Sequence, residues 1–186
     1  LPQNEFNDVC SAAIELGGLT VEERDRKNKL RLVMGNRISH NLITHAGQDF
    51  VDAAGVFIGF SKDTDISHNT IANVPWSGIA IGWGWGLLDK GMFPGISNAT
   101  PGMWGTFTDD TPNSGNKIKS NLIVSFLENR WDGGAIYSTG QQGRSKHDPL
   151  KIEGNVAFGK RPAGGGNTFY TDGGSRYVLL SNNVSF

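Results

Sequence analysis

A short pattern of apolar and polar positions recurs five times along the chain. In each copy an aliphatic residue stands three positions before an Asn, and in most copies another aliphatic residue follows it. The five Asn are Asn41, Asn69, Asn121, Asn155 and Asn183, at steps of 28, 52, 34 and 28 residues. A fixed element with variable spacers is typical of stacked coils that carry loop insertions. We expect each Asn to take a left-handed bend and to bond to the Asn one coil above, with the aliphatic residues stacked in the core.

A second apolar element accompanies the first at several of its turns. Its copies are GVFIGF at 55–60, GIAIGW at 78–83, GGAIY at 133–137 and GNTFY at 166–170. Each is a short apolar strand opened by Gly, as in a buried parallel sheet. Two strand types that recur together predict an all-β fold, a right-handed single-stranded parallel β-helix of roughly five to six coils. The alternative is an antiparallel β-sandwich in which the Asn turns recur by chance.

Composition agrees with short strands and tight turns. The 186 residues include 26 Gly and 16 Asn, a content that helix bundles rarely tolerate. The net charge of −1 gives no electrostatic reason to expect nucleic acid or an anionic membrane as a partner. No apolar run approaches the roughly 20 residues that span a bilayer. With one cysteine, Cys10, no intrachain disulfide is possible, and no metal-binding or cofactor-binding motif occurs. We therefore predict neither a metal nor a cofactor, and we expect a monomer.

We expect residues 1–186 to form one domain. The segment 87–115 is dense in Gly, Pro, Thr and Asp, and loops this long inside a compact domain are usually functional. The first residues, LPQNEFND, carry no basic and apolar signal, and the last, RYVLLSNNVSF, end on a strand-like segment without a polar cap. Because solenoids need capped ends, we expect a fragment of a longer β-helix or a domain without its flanks.

Two Asp-Gly-Gly triplets, at 132–134 and 172–174, are the first candidates for chemistry. Glycoside hydrolysis needs two carboxylates, and coils stack about 4.8 Å apart, so Asp132 and Asp172 in successive coils could fall within the roughly 5–9.5 Å that such enzymes use. If 136–137 stacks beneath 169–170, however, Asp132 opens its strand whereas Asp172 closes the next. Only a bend would then bring the two together. The structural alternative for each Asp is a turn residue before Gly.

Aromatic residues are the second candidate feature, because aromatic faces stack on sugar rings. In GWGWG at 82–86, Trp83 and Trp85 alternate with Gly and place both rings on one strand face. Tyr137 and Tyr170 lie on the strands beside the two Asp. We expect all four to contact substrate, although core or interface packing is the ordinary role of such residues.

Three further polar residues are candidates for substrate binding. Asp52 precedes the first Gly-opened strand, Glu128 stands four residues before Asp132, and His45 follows a strand in NLITHAG. Simple solvation is the alternative for each carboxylate. The other two strand-associated His, His40 and His68, both precede a repeated Asn and are predicted to stack in a structural ladder.

Three stretches carry a family resemblance, DAAGVFIGFSKDTDISHNTIANVPWSGIAIGWGWG, WDGGAIYSTGQQG and FYTDGGSRYVLLSNNVS. From about Asn36 onward the chain resembles right-handed β-helix proteins of the pectate-lyase-like superfamily, in particular bacterial β-helix glycoside hydrolases such as glycoside hydrolase family 141. The resemblance implies two acidic residues on neighbouring coils, by position Asp132 and Asp172. It also implies action on plant cell-wall and related glycans by a secreted, periplasmic or cell-surface protein.

Three functions remain open on the sequence. The first is hydrolysis of glycosidic bonds in a polysaccharide or oligosaccharide, with Asp132 and Asp172 sharing the acid and base roles. The second is a polysaccharide lyase or epimerase, which needs a base and cations to neutralise a uronate. The third is a non-catalytic glycan-binding or structural solenoid, which would keep the aromatic platform but depend on neither Asp. Fold alone cannot separate them.

Overall fold

The computed structural model describes residues 1–18, 33–82, 111–161 and 165–186. Every strand pair in these ranges is parallel, and three long sheets run the length of the fold. Sheet I contains β4 (Arg37–Ser39), β8 (Asp65–Ser67), β11 (Lys117–Lys119), β14 (Leu150–Glu153) and β17 (Val178–Ser181). Sheet II contains β1 (Glu5–Val9), β5 (Leu42–Ala46), β9 (Thr70–Ala72), β12 (Leu122–Val124), β15 (Val156–Phe158) and β18 (Val184–Ser185). Sheet III contains β2 (Ile14–Leu16), β6 (Val56–Ile58), β10 (Ile79–Ile81), β13 (Ile136–Ser138) and β16 (Phe169–Thr171).

Strands follow one another from sheet I to sheet II to sheet III and then return to sheet I one level along the axis. Within each sheet the spatial order of the strands is their order in the chain, so each turn of the chain adds one strand to each sheet. A short fourth sheet pairs β3 (Val33–Met34) with β7 (Ser61–Lys62). This arrangement confirms the predicted parallel β-helix.

The core is built from aliphatic residues that stack in register from coil to coil. In sheet I the central positions are Ile38, Ile66, Ile118 and Ile152, each 1% exposed or less. Ile43, Ile71 and Ile123 form the matching stack in sheet II. These are the aliphatic residues that flank the repeated Asn, so the predicted inward stacking is confirmed. Burying each such side chain contributes about 1.5–3 kcal/mol to the free energy of unfolding.

A ladder of stacked Asn side chains joins sheets I and II. The backbone N–H and the side-chain amide of Asn69 both donate to Oδ1 of Asn121, at 3.0 and 2.9 Å. The same pair of bonds links each successive rung. Asn4 adds a sixth rung ahead of Asn41, at 3.0 Å, which the sequence pattern did not identify. The predicted bonding between coils is therefore confirmed.

The left-handed bend lies one residue before each Asn rather than on it. His40, His68 and Ser120 have φ of 56°, 56° and 54°, and each directly precedes a ladder Asn. The expectation that the Asn itself takes this conformation is wrong, because its amide must point inward to meet the rung above. The preceding residue makes the turn instead. The rings of His40 and His68 stack at 4.9 Å between centroids with 3° between planes, which confirms the His ladder.

Gly opens the strands of sheet III because neighbouring coils approach closely there. A Cβ on Gly55 would lie 2.8 Å from the carbonyl oxygen of Gly78, and a Cβ on Gly78 would lie 2.8 Å from that of Ala135. Side chains at these positions would push the coils apart. The apolar strands after these Gly pair as predicted, with Val56 opposite Ile79.

Candidate functional site

A cleft over the outer face of sheet III is the candidate site. The middle residue of each three-residue strand points outward because side chains alternate along a strand. In register these residues are Glu15, Phe57, Ala80, Tyr137 and Tyr170. Ala80 is the smallest of the five and stands between Phe57 and Tyr137. The low middle of the face makes a depression between two aromatic side chains.

The cleft has a volume of about 530 Å³. Its aromatic lining consists of Phe57, Trp76 and Tyr137, and its acidic lining consists of Glu15, Asp52 and Asp132. The lining residues come from four successive coils, which span about 14 Å at the ordinary strand spacing. A mixed aromatic and carboxylate surface of this kind is suited to an uncharged polyhydroxylated ligand, whose rings stack and whose hydroxyls donate hydrogen bonds.

Asp132 stands at the edge of the cleft before β13, and its neighbours fix its backbone. The indole N–H of Trp76 donates to the main-chain oxygen of Asp132 at 2.6 Å. A Cβ on Gly133 would collide with that indole, and one on Gly134 would collide with the main-chain oxygen of Asn167. The two Gly of the triplet are therefore required by close packing. The exposed carboxylate of Asp132 lines the cleft.

Asp172 follows β16 in a tight turn. Its N–H donates to the main-chain oxygen of Ser138 at 2.8 Å, and its own carbonyl accepts from the N–H of Ser175 at 3.0 Å. Gly174 in this turn has φ of 75°, in the left-handed region where Gly is favoured. The half-buried carboxylate accepts a hydrogen bond at Oδ2 from the phenol of Tyr137. Because Tyr137 lines the cleft, Asp172 lies one hydrogen bond from the cleft wall.

Tyr170 lies on β16, two residues before Asp172, and its phenol is influenced by both Asp. Burial raises the pKa of this phenol, and so do the negative charges of Asp172 and Asp132 and hydrogen bonding to their carboxylates. Both carboxylates therefore lie in the neighbourhood of this aromatic side chain.

The aromatic rings around this pair form one packed group. Tyr137 meets Tyr170 edge to face, with centroids 5.4 Å apart and 85° between planes. On its other side Tyr137 packs against Trp76 at 5.2 Å and 56°. Both geometries lie in the range that aromatic pairs prefer. Tyr137 is only 4% exposed, so its ring is held firmly beneath Asp172 and beside the cleft.

Asp52 lines the cleft as expected and is paired with a cation. Nε of Arg130 donates to Oδ1 of Asp52 at 2.6 Å. The two residues belong to coils on either side of the coil that carries Trp76, so the ion pair joins two coils that are not adjacent. Both side chains are well exposed, and exposed pairs of this kind contribute little to stability.

Two other predicted site residues, His45 and Glu128, lie away from the cleft. His45 stands at the end of β5 in sheet II with φ of 53°, and its Nδ1 is 3.3 Å from Oδ1 of Asn7. Glu128 is exposed, and its N–H donates to the main-chain oxygen of Val74 at 3.3 Å. Neither lines the cleft. Trp83, Trp85 and most of the loop at 87–115 lie outside the described residues.

Sequence reasoning missed Glu15 and Phe57 as residues of the cleft. The signal was present in the pattern of apolar residues. Ile14 and Leu16 flank Glu15 in the same way as Val56 and Ile58 flank Phe57, and the two strands pair. The first coil was overlooked because its Asn repeat, at Asn4, lies at the beginning of the chain.

Within the described ranges, no group of three or more His, Cys, Asp or Glu is arranged to hold a metal ion. The same ranges contain no helix with the length and apolar character needed to cross a bilayer.

Comparison with known proteins supports the fold. No protein-family model and no curated protein matches this chain. Among solved structures, one described as "Glycoside hydrolase" superposes with a TM-score of 0.70 at 21% sequence identity. The likeness covers 98% of this chain and 31% of that one. The chain therefore has the fold of about a third of that protein, a parallel β-helix found in a glycoside hydrolase.

Proposed function

We propose that this chain forms the catalytic cleft of a glycoside hydrolase that cleaves a polysaccharide or oligosaccharide with Asp132 and Asp172. The observation that carries the proposal is the aromatic cleft over sheet III, which Asp132 lines directly and whose wall residue Tyr137 donates a hydrogen bond to Asp172. The structural likeness to a glycoside hydrolase supports the same reaction class.

The chemistry follows from what two carboxylates can do at a glycosidic bond. One, as a carboxylic acid, protonates the leaving oxygen while the bond to the anomeric carbon breaks. The other, as a carboxylate, activates water or attacks the anomeric carbon directly. A cleft that spans four coils is long enough for a chain of sugars, and its aromatic lining offers stacking surfaces for their rings.

The charges in the cleft favour hydrolysis over lyase or epimerase chemistry. Those reactions remove a proton next to a uronate, whose carboxylate must be neutralised by cations. The charged side chains that line the described part of the cleft are Glu15, Asp52 and Asp132, all acidic. Arg130 forms an ion pair with one of them, Asp52. A uronate there would meet carboxylates, which repel it.

Incubation with a panel of plant and algal polysaccharides tests the proposal. Reducing ends and ultraviolet-absorbing unsaturated ends are measured in parallel for the wild type, Asp132→Asn and Asp172→Asn. We expect new reducing ends without unsaturated ends, and a loss of at least about 100-fold in each variant, since positioned acid–base groups contribute roughly 10²–10⁴-fold.

Asp63→Asn is the matched control, because Asp63 is an exposed turn carboxylate that does not line the cleft. This variant should keep wild-type activity. Unsaturated products would assign the protein to the lyases. Glycan binding without any product would assign it to the non-catalytic solenoids.

We propose in addition that the protein is exported, to the periplasm, cell surface or medium, and acts as a monomer. The resemblance to exported β-helix glycoside hydrolases supports the location. Cell fractionation and light scattering of the purified protein check these two statements.

A further inference from the structure

A carboxylate at the far end of the cleft takes no part in the proposed chemistry of the two Asp. Glu15 is the middle residue of β2, which pairs with β6 at the end of sheet III. Ile14 and Leu16 on either side of it pack on the core, so the side chain of Glu15 points outward. It is exposed and lines the cleft. Its carboxylate therefore faces the space that a ligand would occupy.

The charge of Glu15 is not balanced within the described part of the chain. Asp52, one coil along, forms an ion pair with Arg130 at 2.6 Å. Among the described residues, none forms a hydrogen bond or an ion pair with the carboxylate of Glu15. A free carboxylate can only accept hydrogen bonds, and it repels other anions. Glu15 is thus available to bind hydroxyl groups and is unsuited to an acidic ligand.

An aromatic ring and small side chains accompany this carboxylate. Phe57 stands opposite Glu15 on β6 and also lines the cleft. The segments that lead into β2 and β6 line the cleft with the small residues Ser11, Ala12, Ala53 and Ala54. A sugar ring can lay its apolar face on the phenyl ring while its hydroxyls donate to the carboxylate. This end of the cleft therefore suits a neutral sugar.

The spacing of the coils sets the distance from this end of the cleft to the proposed chemistry. The strands β2, β6, β10 and β13 are consecutive in sheet III, so Glu15 and Tyr137 are about 14 Å apart along the sheet. One sugar unit of an extended glycan is about as long as one coil spacing. A chain whose scissile bond lies beside Asp132 therefore reaches Glu15 roughly three units away.

We propose that Glu15 is a specificity-determining residue of a distal sugar subsite, which it forms with Phe57. There it accepts hydrogen bonds from the hydroxyls of a neutral sugar and repels a uronate. The inference rests on the proposed function of the cleft, and it adds the residue that selects neutral glycans over acidic ones. Discrimination of this kind combines an attraction for one ligand with a repulsion of the other.

Two hexasaccharides test the specificity by binding alone. One is prepared by partial acid hydrolysis of the neutral polysaccharide of the panel that binds the protein most tightly, and the other is hexagalacturonate. Both are titrated by NMR at neutral pH and low ionic strength into Asp132→Asn, with and without Glu15→Ala. Loss of Glu15 should weaken binding of the neutral hexasaccharide about 10-fold, as expected for a hydrogen bond to a charged group. It should strengthen binding of hexagalacturonate about 3–10-fold, because one repelling charge has gone.

Two further variants separate charge from hydrogen bonding and from general damage. Glu15→Gln keeps an acceptor oxygen but loses the charge. It should bind the neutral hexasaccharide better than Glu15→Ala does and should gain as much affinity for hexagalacturonate. Glu5→Ala is the matched control, because Glu5 is an exposed carboxylate of the same coil that lies on sheet II and does not line the cleft. It should leave both affinities unchanged.

The length of the substrate tests the position of the subsite. The value of kcat/KM is measured for neutral oligosaccharides, from the disaccharide to the hexasaccharide, with the wild type and Glu15→Ala. The variant should lose about 10-fold on the hexasaccharide. It should lose less than about 2-fold on the disaccharide, which cannot reach Glu15 while its bond lies beside Asp132. An equal loss at every length would contradict this position.

The outcomes separate this inference from the proposed function, because the binding experiment needs no turnover. An active hydrolase in which Glu15→Ala changes neither affinity would overturn the inference and leave the hydrolase proposal intact. Opposite shifts for the two hexasaccharides in a protein that releases no reducing ends would do the reverse. A change of the same sign for both hexasaccharides would show general damage to the cleft and overturn the role of Glu15, as would the failure of every neutral polysaccharide to bind.

Discussion

At the scale of single residues, Asp132 and Asp172 share an Asp-Gly-Gly triplet but occupy different surroundings. The sequence predicted them as a pair; in the structure Asp132 lines the cleft, and Asp172 accepts a hydrogen bond from Tyr137 in the cleft wall. The sequence could not show this hydrogen bond, because it joins residues of neighbouring coils. The same limit applies to Tyr137, which lines the cleft and also donates a hydrogen bond to Asp172. Which hydroxyl meets which carboxylate is decided by packing across coils.

The pKa of Tyr170 offers a direct check on this arrangement. A phenol becomes negative when it ionises, so the nearby charges of Asp172 and Asp132 raise its pKa. Asp172→Asn and Asp132→Asn each remove one of these charges, and in both variants the pKa of Tyr170 should fall. Carbon-13 NMR of labelled tyrosine follows the ionisation, since the chain has only three tyrosines to assign. An unchanged Tyr170 titration in both variants would contradict the shared placement, and Asp63→Asn should leave it as in the wild type.

At the scale of elements, the Asn ladder and the aliphatic stacks were predictable because each is a local pattern repeated at every coil. A side chain that recurs before the same strand meets its own copy in the next coil, as Asn69 meets Asn121. The sequence could not show which residue makes the left-handed turn, because Asn and its neighbour can both adopt it. The structure assigns it to the preceding residue, such as His68, and leaves the amide free to bond.

Removal of an internal rung should cost far more than removal of the end rung. The amide of Asn121 accepts two bonds from Asn69 and donates to Ile66 and Asn155. Asn121→Ala leaves those buried groups without their partner and should lower the free energy of unfolding by about 3–5 kcal/mol. Asn4→Ala, at the exposed end of the ladder, should cost less than about 1 kcal/mol. Urea unfolding of both variants measures the difference; equal losses would show that the ladder is not a buried, cooperative network.

At the scale of the whole molecule, the sequence predicted three facts that fix the architecture. It predicted parallel coils, the alignment of Ile136-Tyr137 with Phe169-Tyr170, and the alignment of the two clearest Gly-opened strands. These follow from hydrophobic periodicity, which is strong over many coils. The cleft was less predictable. Its depth comes from one small residue, Ala80, between two large ones, and its far end from Glu15 in a coil that the pattern did not include.

The central claim is that a glycan lies in the cleft over sheet III with its scissile bond beside both carboxylates. The most direct measurement is a crystal structure of Asp132→Asn with an oligosaccharide from a polysaccharide that the wild type degrades. We predict that the sugar chain runs along the coils over Phe57, Ala80 and Tyr137, with a glycosidic oxygen within hydrogen-bonding distance of residue 132 and an anomeric carbon facing Asp172. An oligosaccharide bound on sheet I or sheet II, or one in the cleft with no glycosidic bond near the two residues, would contradict the account.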